Sequence, residues 1–139
     1  MESGSGEAYV WRPARMPDRG EELGVFSDWL SCQDIHGPVA IEAPVVAGAR
    51  NLRTAIDMSL TSGAVAAGIY RLGLRVLFVP VASWKKVVVG KGNATKEEVA
   101  AHVRKADRRF HAAASGDQDL FDAWCISDWC RRTTAEVDG

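Results

Sequence analysis

Two short apolar runs with a helical stretch between them constrain this chain more than any other feature. Val39-Ala40-Ile41-Glu42 and Leu74 to Val81 (LRVLFVPV) both read as strands, the second being the clearest in the sequence. From Leu52, the apolar positions Leu52, Ile56, Leu60, Ala67 and Tyr70 mark a long helix, and Ser59, Ser62, Gly63 and Ala66 are small enough for close packing on a sheet. Tyr70 and Phe78 read as core. Strand, helix, strand with no hairpin signal predicts a parallel pair joined by a right-handed crossover. The fold class is therefore α/β, with helices on the faces of a sheet.

The flanks fill in the rest. Glu7 to Arg12 (EAYVWR) is a short strand stopped by Pro13 and Pro17. Asp18 with Glu21 forms a capping-box variant, and Leu23, Phe26 and Leu30 predict a first helix running to about Ile35. Gly90-Lys91-Gly92-Asn93 is a turn, and Thr95 caps a helix whose buried stripe is Val99, Val103, Ala106 and Phe110. After a loop at residues 112–116, Asp117 caps a last helix reaching about Arg132. Residues 1–6 (MESGSG) read as a flexible tail and 7–139 as a single domain.

No apolar run approaches the roughly 18 residues that span a bilayer, and the start lacks the basic flank and apolar stretch of a signal peptide. The expectation is a soluble, cytoplasmic domain without a membrane partner. Cys32, Cys125 and Cys130 are an odd number without C-x-x-C, so they read as buried thiols, not a disulfide framework or a zinc site.

The net charge of −1 hides a strong asymmetry. Trp84 to Arg109 holds eight Lys/Arg against three acids, net +5, so the remainder carries −6. Such a distribution suits a polyanion that must meet a basic surface and a carboxylate-bound metal together; its alternative is a solvated helix face. Glu42 lies at the carboxyl end of a buried parallel strand, where open α/β sheets place their ligand crevice. Asp119 and Asp122, three apart on the last helix, project from one face and repel unless a cation lies between them. Asp117 and Asp119 also suit a helix N-terminus through the macrodipole. Trp29, Trp124 and Trp129 are read as core or dimer packing before base stacking, and His102 and His111 as part of the polar or basic face. Arg50, Asn51 and Arg53 read as a helix start, with a backbone phosphate contact as the alternative.

The stretch from Trp84 to Val99 (WKKVVVGKGNATKEEV) resembles the signature of RuvC-type Holliday-junction resolvases: V-K-K, then V-x-G-x-G-x-A-x-K-x-x-V after a strand that ends near a proline. The matching residues are Pro80, Lys85, Lys86, Val88, Gly90, Gly92, Ala94, Lys96 and Val99. Ala40-Ile41-Glu42 resembles the family's central strand ending in a catalytic glutamate, and Asp119-Leu120-Phe121-Asp122-Ala123 its D-x-x-D-A. The resemblance covers about Val39 to Cys130. It implies a ribonuclease-H-like mixed sheet and an endodeoxyribonuclease that uses Mg²⁺ (or Mn²⁺) to cleave branched, four-way-junction DNA as a homodimer. By the same resemblance Glu42, Asp119 and Asp122 are catalytic metal ligands, and Lys85, Lys86, Lys91 and Lys96 are phosphate contacts.

One element of the family pattern, a first strand carrying aspartate in a G-I-D setting, is not found ahead of Val39. Asp18 at a helix cap and Asp28 mid-helix have the wrong context, and Glu7 is the sole acid of the first strand. The resemblance thus implies an N-terminally shortened member with three of four carboxylates, expected to cut poorly or not at all. The alternatives are a non-catalytic branched-DNA-binding protein or a structural remnant of a phage or mobile-element gene.

Overall fold

The computed structural model describes residues 19–44 and 52–138. The strand expected at 7–12, the cap at Asp18, the candidate Glu7, and Arg50 and Asn51 lie outside these residues. The chain divides after Pro80 into two compact units, taken in turn.

In the first unit, α1 (Arg19–Ser31) is followed by β1 (Val39–Glu42), α2 (Leu52–Arg71) and β2 (Val76–Val79). The strands pair in parallel, Val39 opposite Val76 through Glu42 opposite Val79. The Val39 N–H donates to the Arg75 carbonyl and the Ala43 N–H to that of Val79, both at 2.8 Å, extending the ladder at each end. The parallel pair read from the sequence is thus present, but β2 is shorter than 74–81. Pro80 has no N–H to continue a ladder, and a helical turn begins at Val81. α1 stops at Ser31, short of Ile35, where the Cys32 and Gln33 N–H groups close turns onto Trp29 and Leu30.

The buried side chains of α2 are Ala55 and Ile69. Ser62, Val65 and Ala66 lie half-buried on the same stripe. Leu52, Ile56 and Leu60 are instead exposed, as are Tyr70 (75% exposed) and Phe78 (49%), which corrects their assignment to the core. The sheet has two strands among the described residues, so narrow a surface that most of the 20-residue helix stays exposed, Ser59, Gly63 and Ala67 included. α1 crosses α2 at Gly68, where a Cβ would come within 3.1 Å of the Ser27 hydroxyl.

The second unit contains a short α3 (Val81–Trp84), a π-helical turn (Lys85–Val89), α4 (Lys96–Ala106), α5 (Arg108–Ala114) and α6 (Gln118–Asp138). Its core is Trp84, Val88, Ala94, Val99, Val103, Phe110, Ala114, Phe121, Cys125 and Cys130. Thr95 caps α4 as expected, its hydroxyl accepting from the Glu98 N–H at 3.2 Å. The stripe expected through Phe110 divides, because α4 ends at Ala106, which is exposed, and Phe110 belongs to α5. Asp107 stands between them as C-cap of one and N-cap of the other, its carboxylate accepting from the Phe110 N–H at 3.0 Å. Asp117 accepts from the Asp119 N–H at the start of α6, which continues past Arg132.

Cys125 and Cys130 are buried as expected, but Cys32 is exposed just beyond α1. Burial, reinforced by the carboxylates of Asp122 and Asp128, pushes the Cys125 thiol up to about 12. A neutral thiol-selective reagent should therefore label the native protein rapidly at Cys32 and reach Cys125 and Cys130 only in denaturant. Labelling of Cys125 at the Cys32 rate, read by peptide mass, would contradict this packing.

Candidate functional site

The four candidate lysines all belong to the second unit, and local geometry explains their spacing. Trp84 is fully buried, and Val88, four residues on, is buried beside it in the same core. The segment between winds as a π-turn, closed by the Gly90 N–H donating to the Lys85 carbonyl at 3.1 Å. Lys85 lies half-buried with its ammonium 5.7 Å from the Trp84 ring centroid, while Lys86 is exposed. Gly90 ends the turn at φ 110°, a conformation open to glycine, and Gly92 leaves room for the Ala82 carbonyl, which a Cβ would approach to 3.3 Å. The two glycines are thus accounted for by the path of the chain. Lys96 is exposed at the first position of α4.

Lys91 is engaged differently. Its ammonium lies 2.7 Å from Glu98 Oε1, and this hydrogen bond and charge hold the Glu98 carboxyl below its usual 4.5, against the opposing effect of desolvation. A depressed folded-state value makes the pair's contribution to stability fully present above pH 4.5, and the contribution is lost as pH falls through the depressed value. In Lys91→Met the Glu98 carboxyl should titrate closer to 4.5 by NMR. An unmoved titration would show that Lys91 is not the cause.

The acidic candidates fall on both units. Glu42 ends β1 and is exposed. On α6, Asp119 is exposed in the first turn and Asp122 half-buried one turn later, its Oδ1 accepting from Gln118 Nε2 at 2.9 Å. Among the described residues no group of three or more His, Cys, Asp or Glu is assembled as a metal cage. No helix among them is long and apolar enough to cross a membrane.

The structure also brings together residues that the sequence does not single out. Asp128, 5% exposed on α6, pairs with Arg131 and, at 2.8 Å, with Arg132 Nε. Arg132 Nη1 reaches the Val87 carbonyl at 3.4 Å, tying α6 to the π-turn that carries Lys85 and Lys86. Only the i,i+3 and i,i+4 spacing of one acid and two arginines hinted at this cluster. Trp124 packs against the tilted ring of His102, centroids 6.0 Å apart, and its indole N–H donates to Asp107 at 3.4 Å, so it serves the interior. His111 stacks on Phe121 at 5.0 Å. Both histidines are half-buried and packed on aromatic rings, less free than a plain basic face implies.

The family model for crossover junction endodeoxyribonuclease RuvC matches residues 21–123, a span that includes the four candidate lysines and Glu42, Asp119 and Asp122. The RuvC crossover junction endodeoxyribonucleases of Rhodococcus opacus (strain B4) and Rhodococcus jostii (strain RHA1) are each 32% identical over 94 residues, covering 68% of this chain and 49% of theirs. The chain thus spans about half the length of the curated relatives it matches. RuvC of Thermus thermophilus superposes with a TM-score of 0.62 at 21% identity, over 91% of this chain and 77% of the other, which establishes the shared ribonuclease-H-like fold. With the family match covering well over half of its length, this chain belongs to the RuvC family of crossover junction endodeoxyribonucleases.

Proposed function

We propose that this chain acts on branched DNA, binding the phosphates of a four-way junction and hydrolysing a phosphodiester bond there with a divalent metal. The observation that carries the reading is the grouping, inside the family-matched span, of Lys85, Lys86, Lys91 and Lys96 on one compact unit that also bears Asp119 and Asp122. Phosphate contacts position DNA without reading its sequence, which suits an enzyme selecting junction shape.

Glu42, Asp119 and Asp122 are the residues we assign to the metal. Their donor chemistry fits it: all are carboxylates, the hard oxygen ligands that Mg²⁺ or Mn²⁺ takes, and the nearby Cys125 stays a protonated thiol that offers no competing soft ligand. The bound ion would supply an activated water and stabilise the leaving oxygen. Gln118 fixes one oxygen of Asp122, restricting the carboxylate's rotation. We further propose that the two units act as one domain, in the cytoplasm, as a homodimer, since a four-way junction offers two symmetric cleavage positions. The exposed stripe Leu52, Ile56 and Leu60 supplies an apolar surface for a second copy.

The reading is tested by binding to a synthetic four-way junction and to a linear duplex of the same sequence. The junction should bind more tightly, and a variant with Lys85, Lys86, Lys91 and Lys96 all changed to Ala should lose about 0.9 from the log–log salt slope per contact removed. Equal affinity of the quadruple variant and the wild type for the junction would sink the assignment.

A further inference from the structure

Two open grooves flank α4, and they share a wall. One is lined by Lys91, Glu98, His102 and Lys105 together with Val89, Gly90 and Ala101. The other runs along the α4–α5 junction between Arg104, Lys105, Arg108 and His111, with Glu97, Ala100 and Ala101. Ala101 and Lys105 belong to both, so the concavities meet at Lys105.

The charges in these grooves are not balanced locally. Glu98 is committed to Lys91, and Asp107, the nearest acid at the corner, is committed to capping α5 and to the Trp124 indole. Glu97 is the remaining carboxylate of the lining. Arg104, Lys105 and Arg108 are exposed and make no ion pair among the described residues. A solvated helix face would be expected to alternate its charges or pair them along the helix. Here three unpaired cations instead line concave surface, the arrangement that raises local counter-ion concentration.

We infer that the two grooves form one continuous track for a nucleic-acid phosphate backbone, centred on Lys105 and completed by Arg104 and Arg108, in addition to Lys85, Lys86, Lys91 and Lys96. The inference rests on the proposed action on DNA and adds a second line of contact to it. α4 is 11 residues long, about 16 Å at 1.5 Å per residue, so the track accommodates a few successive phosphates. Because a track this short meets the backbone of a single duplex arm, and its contacts carry no sequence information directly, it should strengthen binding to a junction and to a linear duplex alike.

The test is the salt dependence of binding for the variant Arg104→Ala, Lys105→Ala, Arg108→Ala. All three side chains are exposed, and an unchanged thermal transition would confirm that the variant is folded. Its log–log salt slope should fall by about 2.7, at 0.9 per contact, on the four-way junction and the duplex equally. A slope equal to that of the wild type, while the Lys85/Lys86/Lys91/Lys96 variant loses its share, overturns the track and leaves the proposed function standing. Failure of the wild type to bind either DNA at low salt overturns both.

Discussion

Trp84→Ala should destabilise the protein by about 4 kcal/mol. The indole is fully buried, and large-to-small changes of buried aromatics cost about 3–5 kcal/mol through lost transfer energy and the cavity left behind. Trp84 also ends α3 at the start of the π-turn, so backbone relaxation into the gap would have to move that turn. For a chain of this size the loss corresponds to a drop of about 12 °C or more in melting temperature. Lys85, which lies against the same ring, would lose its orientation, so DNA binding by the surviving folded fraction should weaken too. A variant melting within a few degrees of the wild type would show that Trp84 is not central to the core.

The second large effect concerns the carboxylates. Mg²⁺ or Mn²⁺ should raise the melting temperature of the wild type, because a ligand bound only by the folded state stabilises it in proportion to the logarithm of its concentration over the dissociation constant. Glu42→Gln and Asp122→Asn should each abolish that increment. On a synthetic four-way junction in Mg²⁺, whatever cleavage the wild type shows should fall at least about a hundredfold in either variant, since a misplacement of even 1 Å at a reacting centre costs that much. The melting experiment requires no turnover, so it tests the metal assignment even where cleavage is slow. Cleavage unaffected by Glu42→Gln would place the chemistry elsewhere.

The parts of this fold that were legible in advance are those written in local signals. The strand at Val39–Glu42, the helix from Leu52 and the caps at Thr95 and Asp117 each rest on residues within one or two turns of one another. Tyr70 and Phe78 were misassigned because apolar character says what a side chain prefers and not whether a neighbour covers it. The π-turn at Lys85–Val89 was invisible for a different reason. Three consecutive valines carry strand propensity, and burial of Trp84 and Val88 together with the positive φ of Gly90 overrides it. The lysines and the D-x-x-D pair are picked out by their order along the chain, which no periodicity supplies, and their roles stand as proposals. Asp128 was not, because a carboxylate on a helix ordinarily faces water, and its burial depends on two arginines one turn further on.

The corner at Asp107 has an entropic consequence. α4 and α5 meet with that residue alone between them, and it is held at three points: its N–H on the Val103 carbonyl at 2.7 Å, its carboxylate on the Phe110 N–H, and the same carboxylate on the Trp124 indole. A junction without a spare residue has no slack, so the backbone carrying Arg104 and Lys105 is locked at a fixed angle to that carrying Arg108. The cations are therefore spaced before any polyanion arrives. Such a surface forgoes the loop-ordering cost that a flexible basic arm must meet on binding, leaving only the freezing of long side chains, about 0.5–1.5 kcal/mol for each one immobilised.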